Sequence, residues 1–125
     1  MKIEAAVDRL AALAQETRLR IYRLLVEAGP EGLNAGAIAA ALDIAPATLS
    51  FHLAHLSRSG LVTSRQESRF IFYAANFAAM DELIAYLTEN CCQGQAVCWP
   101  RATAAVAAAA APDAAGLIQS RKETP

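Results

Sequence analysis

The spacing of apolar residues changes twice between Ala35 and Asn90, and that change leaves few folds open. Up to Leu56 apolar positions recur every three or four residues, the period of a helix face; from Leu61 they gather into short β-prone runs; from Phe77 the helical period returns. Ile3, Val7, Leu10 and Leu13 mark a first helix over residues 3–14. Leu19, Ile21, Leu24, Leu25 and Val26 mark a second over residues 16–28, with Thr17 as its expected cap. Gly29-Pro30-Glu31-Gly32 breaks it. A short helix follows over residues 35–42, capped by Asn34, and Asp43-Ile44-Ala45 forms a turn. The next helix starts at Pro46, a residue suited to a first helical turn, and ends before Gly60, placed as a C′ glycine. Residues 61–65 and 70–74 flank the polar segment Gln66-Glu67-Ser68-Arg69 and read as a hairpin. Met80, Leu83, Ile84 and Leu87 line the last helix, residues 77–90.

The order α-α-α-α-β-β-α predicts a mainly α (α+β) fold, the winged helix-turn-helix. If Leu49, Leu53 and Leu56 face the core, then Ala47, Phe51, Ala54 and Arg58 point away, with Thr48, Ser50 and His55 on the flanks. Early outward residues of such a helix reach base edges in the major groove. The expected DNA contacts are Pro46, Ala47, Thr48, Ser50, Phe51 and His55, with Arg65 and Arg69 of the hairpin reaching phosphate or minor groove. His52 lies nearer the buried stripe and reads as a structural, hydrogen-bonded histidine. Net charge is only −1, but residues 45–75 carry Arg58, Arg65 and Arg69 against the single acid Glu67, a weak basic patch.

The 125 residues suffice for one domain with a modest core, so dimerisation is expected. Leu10, Leu83, Ile84 and Leu87 are the expected interface, because the first and last helices flank a domain already filled by the others. Residues 1–98 are expected to form that domain and residues 99–125 an Ala-rich flexible tail. The N-terminal segment has acids among its apolar residues and no long apolar core, so the chain reads as cytoplasmic, without a membrane partner. The three cysteines, Cys91, Cys92 and Cys98, cluster after the last helix. An odd, clustered set argues against a disulfide framework and for a soft-ion or redox site in a reducing compartment. Three thiolates suit arsenic(III), whose lone pair occupies the remaining direction, better than zinc, which takes four ligands in structural sites. For the sulfurs to converge the chain must turn sharply, a role expected of Gly94.

Three stretches together resemble the ArsR/SmtB family of metal-responsive repressors: Leu10-Ala11-Ala12-Leu13-Ala14-Gln15-Glu16-Thr17-Arg18-Leu19-Arg20-Ile21, Thr48-Leu49-Ser50-Phe51-His52-Leu53-Ala54-His55-Leu56 and Ser59-Gly60-Leu61-Val62. Tyr86-Leu87-Thr88-Glu89-Asn90-Cys91-Cys92 is similar to its arsenic-sensing members. The resemblance implies a homodimer joined by first and last helices, reading an inverted-repeat operator with half-sites about one turn, ~34–36 Å, apart. Residues 36–42 lack the cysteines many relatives carry there, and the last helix offers Asp81 and Glu82 without the histidines of zinc sensors. The expectation is therefore a repressor that needs no cofactor to bind DNA and is released by As(III), Sb(III) or trivalent methylarsenicals at Cys91, Cys92 and Cys98. A redox or other soft-metal sensor is the alternative. A thiol enzyme of arsenic metabolism lacks support, since neither an oxyanion cradle nor a Cys-x-x-Cys pair is present.

Overall fold

A computed structural model describes residues 1–94. The chain divides into two units, Met1–Leu87 and Thr88–Pro125. Its elements are α1 (Ile3–Leu13), α2 (Glu16–Ala28), β1 (Leu33–Asn34), α3 (Ala35–Leu42), α4 (Pro46–Arg58), β2 (Val62–Glu67), β3 (Phe70–Ala75) and α5 (Phe77–Thr88), followed by a short 3₁₀ turn, Cys91–Gly94. The sheet is antiparallel with order β1-β3-β2. This is the expected winged helix-turn-helix with one added strand. β1 pairs Leu33 with Tyr73 and Asn34 with Phe72, so the base of the wing is tied to the start of α3. Among the described residues no single helix is long and apolar enough to cross a membrane.

The core is built by α2, α3 and α4 closing on the base of the sheet. Ile21, Leu25, Ile38, Leu49, Leu53, Leu56, Leu61 and Val62 are all buried. Each large side chain of this kind contributes about 1.5–3 kcal/mol through removal from water. The chain bends by 112° between α3 and α4. Asp43 makes that bend in the left-handed region at φ 54°, which Asp tolerates better than most residues. Asn34 caps α3 as expected, its Oδ1 accepting from Ala37 N at 2.8 Å. The cap of α2 is Gln15 rather than Thr17: Gln15 Oε1 accepts from Arg18 N at 2.9 Å, because its longer side chain reaches back over the first turn.

Gly60 does close α4. At φ +86° its N–H donates to Ser57 O, and Leu61 N–H donates to Leu56 O, the paired bonds of a Schellman cap. Leu56 and Leu61 are both fully buried beside it. Gly32 serves a different purpose: a Cβ there would collide with the Tyr73 carbonyl, so only glycine lets β1 approach β3. Half of the polar segment expected as the hairpin loop, Gln66 and Glu67, is strand. Pairing runs out to Glu67 and Phe70, leaving only Ser68 (φ 60°) and Arg69 as the tip. Cross-strand pairing overrides the weak β preference of Gln66 and Glu67.

Two further residues join elements in ways the periodicity does not reveal. Asn76 Oδ1 caps α5 by accepting from Ala79 N at 3.1 Å, while its Nδ2 donates to Gly60 O at 3.0 Å. Arg9 Nη1 donates to Ala79 O at 2.8 Å and pairs with Glu82 at 3.2 Å, tying α1 to α5.

Candidate nucleic-acid interface and cysteine turn

The outward surface of α4 follows from its inward one. Leu49, Leu53 and Leu56 are drawn into the core, and the helical period then exposes Pro46, Ala47, Thr48, Ser50, Phe51, Ala54 and Arg58. His55 is half-buried. Phe51, with 63% of its surface accessible, is the most exposed large apolar residue of the molecule's described part. Ala45 provides no side-chain cap, so the Ala47 and Thr48 amides open toward solvent at the positive end of the helix.

His52 is buried behind this surface. Its Nδ1 accepts from Arg18 Nη1 at 3.3 Å, since a guanidinium can only donate. Arg18 Nε donates to Ala12 O at 2.7 Å. One side chain of α2 thus clamps α1 and α4 together. Burial, then the charge of Arg18, then His55 hold His52 below its ordinary pKa, so it stays neutral near pH 7. His55 is lowered by burial, Arg18 and Arg58. A pocket of about 240 Å³ lined by Asp8, Ala11, His55, Arg58 and Ser59 opens at this end of α4.

The hairpin arginines have different surroundings. Arg69 is exposed at the tip. Arg65 is braced: Nη1 donates to Glu31 O at 2.8 Å, Nε lies 3.5 Å from Glu67, and Cζ sits 5.0 Å over the Phe72 ring. The register, which pairs Arg65 with Phe72, places it there. Its head group is an internal tether of the wing as well as a cation beside the reading surface.

The expected interface residues also separate. Leu10 (42% accessible) and Leu87 (56%) are exposed, and Ile84 is half-buried. Leu83 is 2% accessible within a single chain, so it belongs to the protomer's interior and not to a free surface. Ile3 and Val7 are exposed alongside Leu10, whereas Ala6 and Ala12 face inward. Leu13, grouped with that stripe by spacing, packs on the core instead.

Cys91 and Cys92 lie on the turn after α5, with their sulfurs 3.6 Å apart. Once both are reduced, sulfurs on neighbouring residues this close can bind one soft ion together. The chain already bends before Gly94. Asn90, Cys92 and Gln93 take the left-handed region at φ 57°, 56° and 58°, each non-glycine residue there costing roughly 1–2 kcal/mol. Cys92 is disulfide-bonded, so the ion-binding form is the reduced one. Cys98 and the expected tail 99–125 lie outside the described residues.

Residues 13–65 match a helix-turn-helix domain family. The transcriptional activator HlyU of Vibrio cholerae is 35% identical over 88 residues, 70% of this chain and 79% of that protein. A putative arsenical resistance operon repressor of Halobacterium salinarum is 36% identical over 83 residues, 66% of this chain and 64% of that protein. Among solved structures, an ArsR-like transcriptional regulator from Rhodococcus sp. RHA1 superposes with a TM-score of 0.62 at 30% identity, covering 70% of this chain and 79% of its own. These relatives are regulators of transcription, not enzymes.

Proposed function

This chain belongs to the ArsR family of winged helix-turn-helix transcriptional regulators, and on that premise we propose that it is an arsenic(III)-responsive repressor. The observation that carries the reading is the cysteine turn, where two sulfurs stand 3.6 Å apart directly after α5 in the chain. A similarity to a putative arsenical resistance operon repressor supports it.

The reader is α4. Its exposed N-terminal half enters the major groove, the open Ala47 and Thr48 amides meet a phosphate, and Arg69 reaches the neighbouring backbone. Dimerisation sets the spacing of two such helices. Ile3, Val7 and Leu10 repeat at the 4-then-3 spacing of a helix–helix seam, and all three are exposed in one chain. A second copy covers them, together with Leu87. Reduced Cys91, Cys92 and Cys98 then capture As(III) or Sb(III), and Cys91 and Cys92 alone a trivalent methylarsenical; each new bond to sulfur displaces a hydroxide, which leaves as water with the thiol proton. Capture reshapes the chain after α5 and changes the spacing of the readers. A coupling of ~1–3 kcal/mol corresponds to about 5–150-fold weaker operator binding, and linkage requires DNA to weaken arsenic binding equally.

The test is fluorescence anisotropy of a labelled inverted-repeat duplex, recovered by in vitro selection, bound by protein that has been reduced and then freed of reductant, and titrated in parallel with arsenite, antimonite, zinc and peroxide. Release by the trivalent pnictogens alone is expected. The disulfide at Cys92 favours one second reading, a thiol–disulfide switch. Release by peroxide and not by arsenite would establish that reading instead.

A further inference from the structure

Residues 46–57 contain no Arg, Lys, Asn, Gln, Asp or Glu. Until its last residue, Arg58, the reading helix therefore lacks the side chains that make bidentate contacts to guanine or adenine, or accept from cytosine. What it exposes before Arg58 is Pro46, Ala47, Thr48, Ser50, Phe51, Ala54 and Ser57. Short hydroxyls bond to several bases and discriminate weakly. Phe51 is the one large apolar group on this surface, and it sits at the centre of the outward face. Its orientation is supported from behind. The ring meets the His52 ring edge-on, with centroids 5.4 Å apart and planes at 69°. His52 is in turn fixed by Arg18, which is anchored on Ala12 O. A single exposed phenylalanine is ordinary on a protein surface; one clamped through α2 to α1, in the middle of a base-facing helix, is in position to read.

Resting on the DNA-binding reading above, we propose that Phe51 is the specificity-determining residue of α4 and that it reads the 5-methyl group of thymine in each half-site. In the major groove that methyl is the apolar feature that distinguishes thymine from the other standard bases. Contact with an exposed phenyl ring removes both from water. The gain for one methyl corresponds to about a fourfold change in affinity.

The test replaces individual thymines by deoxyuridine, which deletes the methyl and keeps the base pair. A half-site is first obtained by in vitro selection with the full-length reduced protein and a random duplex library. Each thymine is then exchanged singly and binding is measured by anisotropy. For the wild type, one or two neighbouring positions should lose about fourfold, and the remainder should be neutral. Phe51→Ala should bind more weakly and show no thymine–deoxyuridine difference anywhere. Phe51→Leu, which keeps an apolar tip, should retain part of it. Because Phe51 is exposed, circular dichroism and Tm should confirm both variants as folded. Equal binding of every thymine and deoxyuridine duplex by the wild type overturns the proposal while leaving DNA binding intact, as does an undiminished difference in Phe51→Ala. Failure of any duplex to be enriched overturns the DNA-binding reading itself.

Discussion

Arg18 and His52 show how a single contact shapes both stability and the reading surface. The contact requires an unprotonated His52 Nδ1, and a proton there would face the guanidinium. His52 has a folded pKa below its ordinary value of about 6.5. The unfolded chain therefore binds the proton first as pH falls. The stability tied to neutral His52 is fully present above about pH 6.5 and is lost as pH drops below that toward the depressed folded value. Tm followed by calorimetry should decline across that window, and His52→Gln, which can still accept from Arg18, should flatten the decline. At the other functional end, Cys91→Ser should leave operator affinity within about twofold and abolish release by arsenite. A variant that still lets go of DNA in arsenite would remove Cys91 from the sensor. The histidine's structural role was legible in the sequence, because position 52 falls beside the 49-53-56 stripe. Its partner was not: Arg18 lies 34 residues away, and no periodicity reports on a contact between helices.

Among the elements, α4 was the most readable because its three signals agree: proline at the first turn, leucines at helical spacing and glycine past the end. Leu56→Ala should cost about 2–5 kcal/mol in urea unfolding, since the leucine is wholly buried between α4 and the cap. Gly60→Ala should cost about 1–2 kcal/mol. Its Cβ would meet only Arg9 Nη2 at 3.9 Å, so that loss is conformational and not steric. A loss below about 0.5 kcal/mol would contradict the left-handed cap. β1 escaped notice because two residues carry no period, and its pairing with β3 depends on Gly32 permitting a close approach. The length of the wing was underestimated for a related reason: strand propensity at Gln66 and Glu67 is weak, and pairing across the hairpin decides it. The last helix, expected to reach Asn90, ends at Thr88; Asn90 is a residue type that accepts the left-handed conformation it takes there, whereas Cys92 and Gln93 carry no such signal.

For the whole molecule, apolar spacing locates a helix face but not what covers it. The Ile3, Val7 and Leu10 stripe is exposed, while Leu83, from an equally regular pattern, is buried. Small inward residues make the difference: Ala6 and Ala12 bring α1 close to the body and turn its larger side chains outward. Val7→Glu with Leu10→Glu should therefore give a folded monomer in sedimentation equilibrium, with operator binding lost because one reader covers only one half-site. A double variant that remains dimeric would place the interface elsewhere.

The most direct measurement is the affinity of the reduced, full-length protein for its selected duplex with and without arsenite, for the wild type and Cys91→Ser side by side. Wild-type binding should weaken by about 5–150-fold, and the variant's should stay the same. Equal wild-type affinity in both conditions, or equal release from the two proteins, would contradict an arsenic-responsive repressor.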